Sequence, residues 1–127
     1  MPPSNTRLKI GNACSMSYEV VFSDSFQTSV KQLKKRYARV ADDLKRAVHA
    51  LQADPTIGNL IPDDYGARKL RLPNSSAQRG KSGGFRLIYY VQDDQRRALW
   101  LLLLYSKSDQ ENVSPSELRQ LMGQLNE

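Results

Sequence analysis

Six cations, Arg68, Lys69, Arg71, Arg79, Lys81 and Arg86, fall between Tyr65 and Gln92 with no Asp or Glu among them. The window carries the whole net charge of +6, because the remaining basic and acidic residues cancel. Like charges this dense repel one another, and stability alone does not ask for them. A polyanion does, since each phosphate contact releases counterions. Cleaving a phosphodiester needs help at three places: the attacking 2′-hydroxyl, the pentacovalent phosphate and the leaving 5′-oxygen. Arg and Lys can hold the phosphate charge, and a Lys or Tyr tuned by neighbouring cations can move a proton. Tyr65, Phe85 and Tyr105 could stack on unpaired bases. Tyr105 and Lys107 stand at the end of the apolar run that follows the window.

Other chemistries find few residues. The chain has one His, His49, and one Cys, Cys14. That is too little for a clustered metal site or an internal disulfide, and no metal or cofactor is expected. One His without an elbow motif argues against Ser–His or Cys–His catalysis. Gly80–Gly84 (GKSGG) lacks the spacing of a phosphate loop and leads into a strand. The run of seven basic residues from Lys31 to Arg46, set against Asp42 and Asp43, reads as a solvated helix face. No apolar run reaches the roughly 20 residues that span a bilayer. The N-terminus is polar, and a cytoplasmic location is the natural reading.

The elements that must position these residues follow from apolar periodicity. With 127 residues the chain suits one domain. Residues 1–16 read as a flexible arm and 17–127 as the domain. Tyr18, Val20 and Phe22 alternate as a strand. Asp24 is the expected N-cap of a helix carrying Phe26, Val30, Leu33 and Tyr37. Val40 to Leu51 repeats the helical spacing and stops before Pro55. Ala67–Leu72 and Phe85–Val91 read as strands joined by a loop over Pro73–Gly84. Ala98–Tyr105 is almost wholly apolar, as a central strand covered on both faces would be. Ser114, Pro115 and Glu117 form a capping-box signature for a last helix. The order β-α-α-β-β-β-α predicts an α+β domain: about four antiparallel strands, with helices packed on one face of a small curved sheet. On the strands, Lys69 and Arg71 share a face, and Arg86 on the next strand could converge with them. Arg79 and Lys81 belong to the loop.

Three segments, RKLRL at Arg68–Leu72, GKSGGFRLIYYV at Gly80–Val91 and LLLLYSKSDQENVSPSEL at Leu101–Leu118, resemble toxins of the RelE/ParE superfamily. The nearest branch is the HigB/RelE-like side of type II toxin–antitoxin systems. The resemblance spans about Tyr18 to Leu125. It implies a small antiparallel sheet flanked by helices, and an endoribonuclease that cuts mRNA in the A site of the 70S ribosome through the RNA 2′-hydroxyl, without metal. By motif, Lys69 and Arg71 match the paired basic residues that serve as base and phosphate contact. Arg86 matches the arginine that stabilises the transition-state phosphate. Lys107 matches a basic residue just past the last strand. Arg68, Arg79 and Lys81 become RNA-backbone contacts. RelE itself has an arginine and a catalytic tyrosine after that strand, where this chain has Ser108 and Ser114. The proton-transfer role is therefore open among Tyr105, Lys107, Lys81 and Arg79. The implied partner is an antitoxin that covers the cationic face of a single toxin unit. Gyrase poisoning of the ParE kind, or nucleic-acid binding without catalysis, are the alternative readings.

Overall fold

The computed structural model describes residues 6–9, 18–62, 66–75, 84–92 and 97–126. Its elements are β1 (Thr6–Lys9), β2 (Glu19–Phe22), α1 (Asp24–Lys34), α2 (Val40–Ala53), β3 (Asn59–Leu60), β4 (Arg68–Leu72), β5 (Phe85–Gln92), β6 (Ala98–Ser106) and α3 (Pro115–Gly123), which ends in a 3₁₀ turn at Gln124–Asn126. The strands form one sheet in the order β1-β2-β6-β5-β4-β3.

The α+β class holds, and the sheet differs from expectation in three respects. It has six strands. Two of them lie where no strand was expected: β1 within the stretch read as an arm, and the two-residue β3 inside the loop before β4. It is also mixed. β4, β5 and β6 are antiparallel neighbours, as their short connections require, whereas β2 runs parallel to β6. Short connections say nothing about β2, which reaches β6 only after the α1–α2 excursion. Finally, the helices cover both faces of the sheet.

The two faces follow from strand alternation. Phe85, Leu87 and Tyr89 of β5 join Val20, Leu99, Leu101 and Leu104 under α1 and α2. Ile88 joins Val21, Trp100, Leu102 and Tyr105 under Leu118 and Leu121 of α3. A central strand apolar on both sides needs two covers, and each fully buried large side chain is worth about 1.5–3 kcal/mol. A register shift opposite Ile88 and Tyr89 leaves Leu102 as the extra residue of β6. Leu102 and Leu103 therefore both serve the α3 face.

Helix ends match the cap rules with one correction. Ser23, not Asp24, is the N-cap of α1: its Oγ accepts from the Phe26 N–H at 3.1 Å, and Asp24 becomes the first-turn acid. Ser114 caps α3 as expected, accepting from the Glu117 N–H at 3.1 Å. Within β6, β2 pairs only with Ala98–Leu101, so among the described residues the rest of β6 has no strand beside it on that edge. There the N-cap and first turns of α1 supply hydroxyls: Ser23 Oγ donates to the Leu102 carbonyl, and Ser29 Oγ accepts from the Leu104 N–H.

Candidate active site

Three strands and one turn build a cationic cleft on the α3 side of the sheet. Pairing of β4 with β5 sets Arg71 directly opposite Arg86 and Lys69 opposite Ile88. Pairing of β5 with β6 sets Tyr105 on the other side of Arg86. Lys107 is brought in by its backbone, whose N–H donates to the Gly84 carbonyl at 3.0 Å. Gly84 is irreplaceable at that junction. Its φ is +75°, and a Cβ there would lie 2.2 Å from the Leu72 carbonyl oxygen.

The cleft, about 240 Å³, is lined by Asn59, Lys69, Arg71, Arg86, Lys107, Glu111 and Asn112. Arg86 forms its floor at 7% exposure, with Nη1 donating to the Phe85 carbonyl at 3.2 Å. Arg71 is exposed at the rim. Lys69 Nζ donates to Asn112 Oδ1 at 3.0 Å. Lys107 Nζ lies 3.9 Å from Glu111 Oε2. A nearly buried guanidinium acts through a lower effective dielectric than an exposed one, so Arg86 is the strongest anchor here for a phosphate oxygen.

The structure separates Arg68 and Tyr105 from this group. Arg68 points to the opposite face of the sheet, where Nη1 donates to the carbonyls of Gly58 (2.7 Å) and Thr56 (3.3 Å) and fastens the loop before β3. Tyr105 adjoins Arg86 but is not among the cleft-lining residues. Its hydroxyl is buried and has no hydrogen-bond partner among the described residues. Burial pushes the Tyr105 phenol up, with Arg86 opposing and Glu117 adding. That phenol is neutral at ordinary pH and is no proton acceptor. Arg79, Lys81, Tyr65 and Cys14 lie outside the described residues. His49 is exposed on α2, beside an apolar groove between α1 and α2 and away from the cleft.

Ser108 and Ser114 have structural partners. Ser108 Oγ is 2.8 Å from Ser106 Oγ, and Ser114 caps α3. Three cleft residues were not singled out from sequence: Asn59, Glu111 and Asn112. The last two belong to the polar run just after Lys107, and that run was the available signal. An acid-free window drew attention elsewhere.

The turn carrying Lys107 is tied at its base. Asp109 and Gln110 donate their N–H groups to the Ser106 carbonyl. Arg36 of α1 grips Asp109 with two hydrogen bonds, Nη1 to Oδ2 at 2.7 Å and Nη2 to Oδ1 at 3.2 Å. This clasp bounds a larger groove of about 490 Å³ along the open edge of β6. The Arg36 charge there is answered by Asp109, whose hydrogen bonds and negative charge raise the Arg36 pKa. Among the described residues no group of three or more His, Cys, Asp or Glu could hold a metal ion. No helix among them is long and apolar enough to cross a membrane.

Residues 20–110, well over half the chain, match the family described as the ParE toxin of the type II toxin–antitoxin system, parDE. The chain belongs to the ParE toxin family. Its structure is similar to that of a mutant of the E. coli toxin RelE in the free state, with a TM-score of 0.52 and 19% sequence identity. The similarity covers 75% of this chain and 88% of that one. At such identity the likeness establishes the fold. This ParE-family toxin is therefore a RelE/ParE superfamily member in both sequence and architecture, and membership implies an antitoxin partner.

Proposed function

We propose that this ParE-family toxin is a ribosome-dependent mRNA endoribonuclease that cuts RNA through its own 2′-hydroxyl. The observation that carries the reading is the convergence of Lys69, Arg71, Arg86 and Lys107 on one polar cleft. Arg86 and Arg71 hold the non-bridging phosphate oxygens as negative charge builds on them. Lys69 and Lys107 flank that phosphate on either side. Tyr105 buttresses Arg86 from the next strand, and Arg79 and Lys81 contact the RNA backbone. The cations take the part that a metal plays elsewhere. The substrate is mRNA in the 70S ribosomal A site, the setting is the cytoplasm, and one toxin unit acts within an antitoxin complex. The HigB-like side of the superfamily is the nearest functional model.

Brief induction in cells followed by mapping of mRNA 5′ ends tests the reading. New ends confined to translated frames, lost in Arg86→Ala, are expected. A second reading has its own support, because the matching family model is that of ParE toxins. On that reading the chain poisons DNA gyrase and the cleft matters less. Inhibited supercoiling with intact mRNA would establish it, and salt-sensitive RNA binding without cutting would point to a non-catalytic module.

A further inference from the structure

Glu111 is the only carboxylate among the described residues lining the cationic cleft. A site built merely to bind phosphate has no use for it, since it repels the ligand. As a stabilising ion pair it is also poor. Glu111 Oε2 lies 3.9 Å from Lys107 Nζ, beyond hydrogen-bond distance, and its side chain is 74% exposed. Exposed pairs of this kind contribute about 0–1 kcal/mol.

Its placement is nonetheless fixed from both sides. Upstream, the turn is held to Ser106 and to Arg36 through Asp109. Downstream, Asn112 accepts from Lys69 Nζ, and its carbonyl accepts from Gln110 Nε2 at 3.2 Å. The turn that carries Glu111 is thus tied on both sides of it, and its carboxylate lines the cleft while remaining largely open to solvent.

The proposed cleavage needs a proton acceptor for the 2′-hydroxyl. A carboxylate can take a proton where an ammonium or a guanidinium cannot, and the buried Tyr105 phenol is neutral. Resting on the endoribonuclease reading, we propose that Glu111 is the catalytic base of this toxin and Lys107 its acid. The 2′-oxygen forms a bond to phosphorus and passes its proton to the Glu111 carboxylate. The bond from phosphorus to the 5′-oxygen breaks, and Lys107 gives that oxygen a proton. The products are a 2′,3′-cyclic phosphate and a 5′-hydroxyl end. Protonated Glu111 and neutral Lys107 then exchange one proton across their contact, directly or through one water, which restores the starting state. Arg86 and Arg71 hold the phosphate throughout.

The test is single-turnover cleavage of mRNA on programmed ribosomes as a function of pH, for wild type, Glu111→Gln and Glu111→Asp, with binding to the programmed ribosome measured in parallel. Glu111→Gln should lower the rate by about 100-fold or more, as loss of a general base does. It should also abolish the fall in rate on the acid side, while binding stays as tight as in wild type or tightens, since a charge that repels phosphate is removed. Glu111→Asp should recover part of the rate. A substrate with sulfur at the 5′ leaving position needs no acid, so it should erase the defect of Lys107→Gln but not that of Glu111→Gln. An active wild type with an equally active Glu111→Gln overturns the assignment alone. A slower Glu111→Gln with an unaltered pH profile also overturns it, because that pattern belongs to a positioning residue. A wild type that leaves ribosome-bound mRNA intact overturns the endoribonuclease reading, and the assignment with it.

Discussion

Arg71 and Arg86 stand directly opposite each other on neighbouring antiparallel strands, cation against cation. Like charges so placed cost up to about 1 kcal/mol. Arg71→Gln should therefore raise the melting temperature slightly while lowering mRNA cleavage by about 10-fold or more, the trade expected where a binding site is held at the expense of stability. Thermal unfolding alongside ribosome-programmed cleavage measures both. A variant less stable than wild type would show that Arg71 has a structural role.

Tyr105 tests the division between floor and foundation. Its hydroxyl is buried without a partner among the described residues, and such a group costs stability. Tyr105→Phe should be neutral or stabilising by up to about 1 kcal/mol in denaturant unfolding, with cleavage retained. Loss of cleavage with an intact fold would return the proton-transfer role to the phenol.

The same phenol and that of Tyr89 predict an alkaline limit. Burial raises both, and at Tyr89 it outweighs the lowering by the Gly58 hydrogen bond and Arg68. A raised folded pKa means that the native state holds its proton more tightly. This contribution is full below the unfolded value of about 10 and is lost as pH climbs from there through the folded pKa. Absorbance at 295 nm should show at least two of the six tyrosines ionising only as the fold opens.

Arg36 should matter more to activity than to stability. Its clasp on Asp109 is exposed on both sides, so Arg36→Ala should leave the melting temperature nearly unchanged. The clasp steadies the turn bearing Lys107, Glu111 and Asn112, and its loss should slow cleavage by about 10- to 100-fold, as misplacement of catalytic groups does. Asp109→Ala should reproduce the effect without adding to it in the double variant.

Gly84→Ala should be among the most damaging single changes. The residue is left-handed and pressed against the Leu72 carbonyl, so strain of about 1–3 kcal/mol adds to a backbone clash. Urea unfolding measures the cost, and cleavage should fall with it because Gly84 also anchors Lys107.

Much of this was readable in the chain. Alternation in Phe85–Val91 assigned Arg86 to one face and Leu87 to the other, and the match with Lys69 and Arg71 followed from antiparallel pairing. Other features depend on tertiary neighbours. An apolar stripe on Leu118 and Leu121 does not say which face of a sheet it will cover. Here Trp100 and Leu102 attract it away from α1 and α2. The bulge at Leu102 leaves no mark in a run of leucines. Arg68 looked equal to its neighbours, but a one-residue step in a strand turns it to the far side, onto the carbonyls of Gly58 and Thr56. Glu111 lies only four residues past Lys107, but nothing in a polar run says which of its side chains a neighbouring strand will turn into a cleft.

The order of the strands has one more consequence. β6 lies at the middle of the sheet, between β2 and β5, yet it is the last of the described strands to be synthesised. A chain emerging N-terminus first can form the α1–α2 hairpin and the β4–β5 ribbon, but it cannot close the sheet, or seat Lys107 and Glu111 beside Arg86, until β6 and its turn have been made. The cleft comes into being late and all at once. On the endoribonuclease reading proposed above, an unfinished copy has no assembled cleft with which to cut.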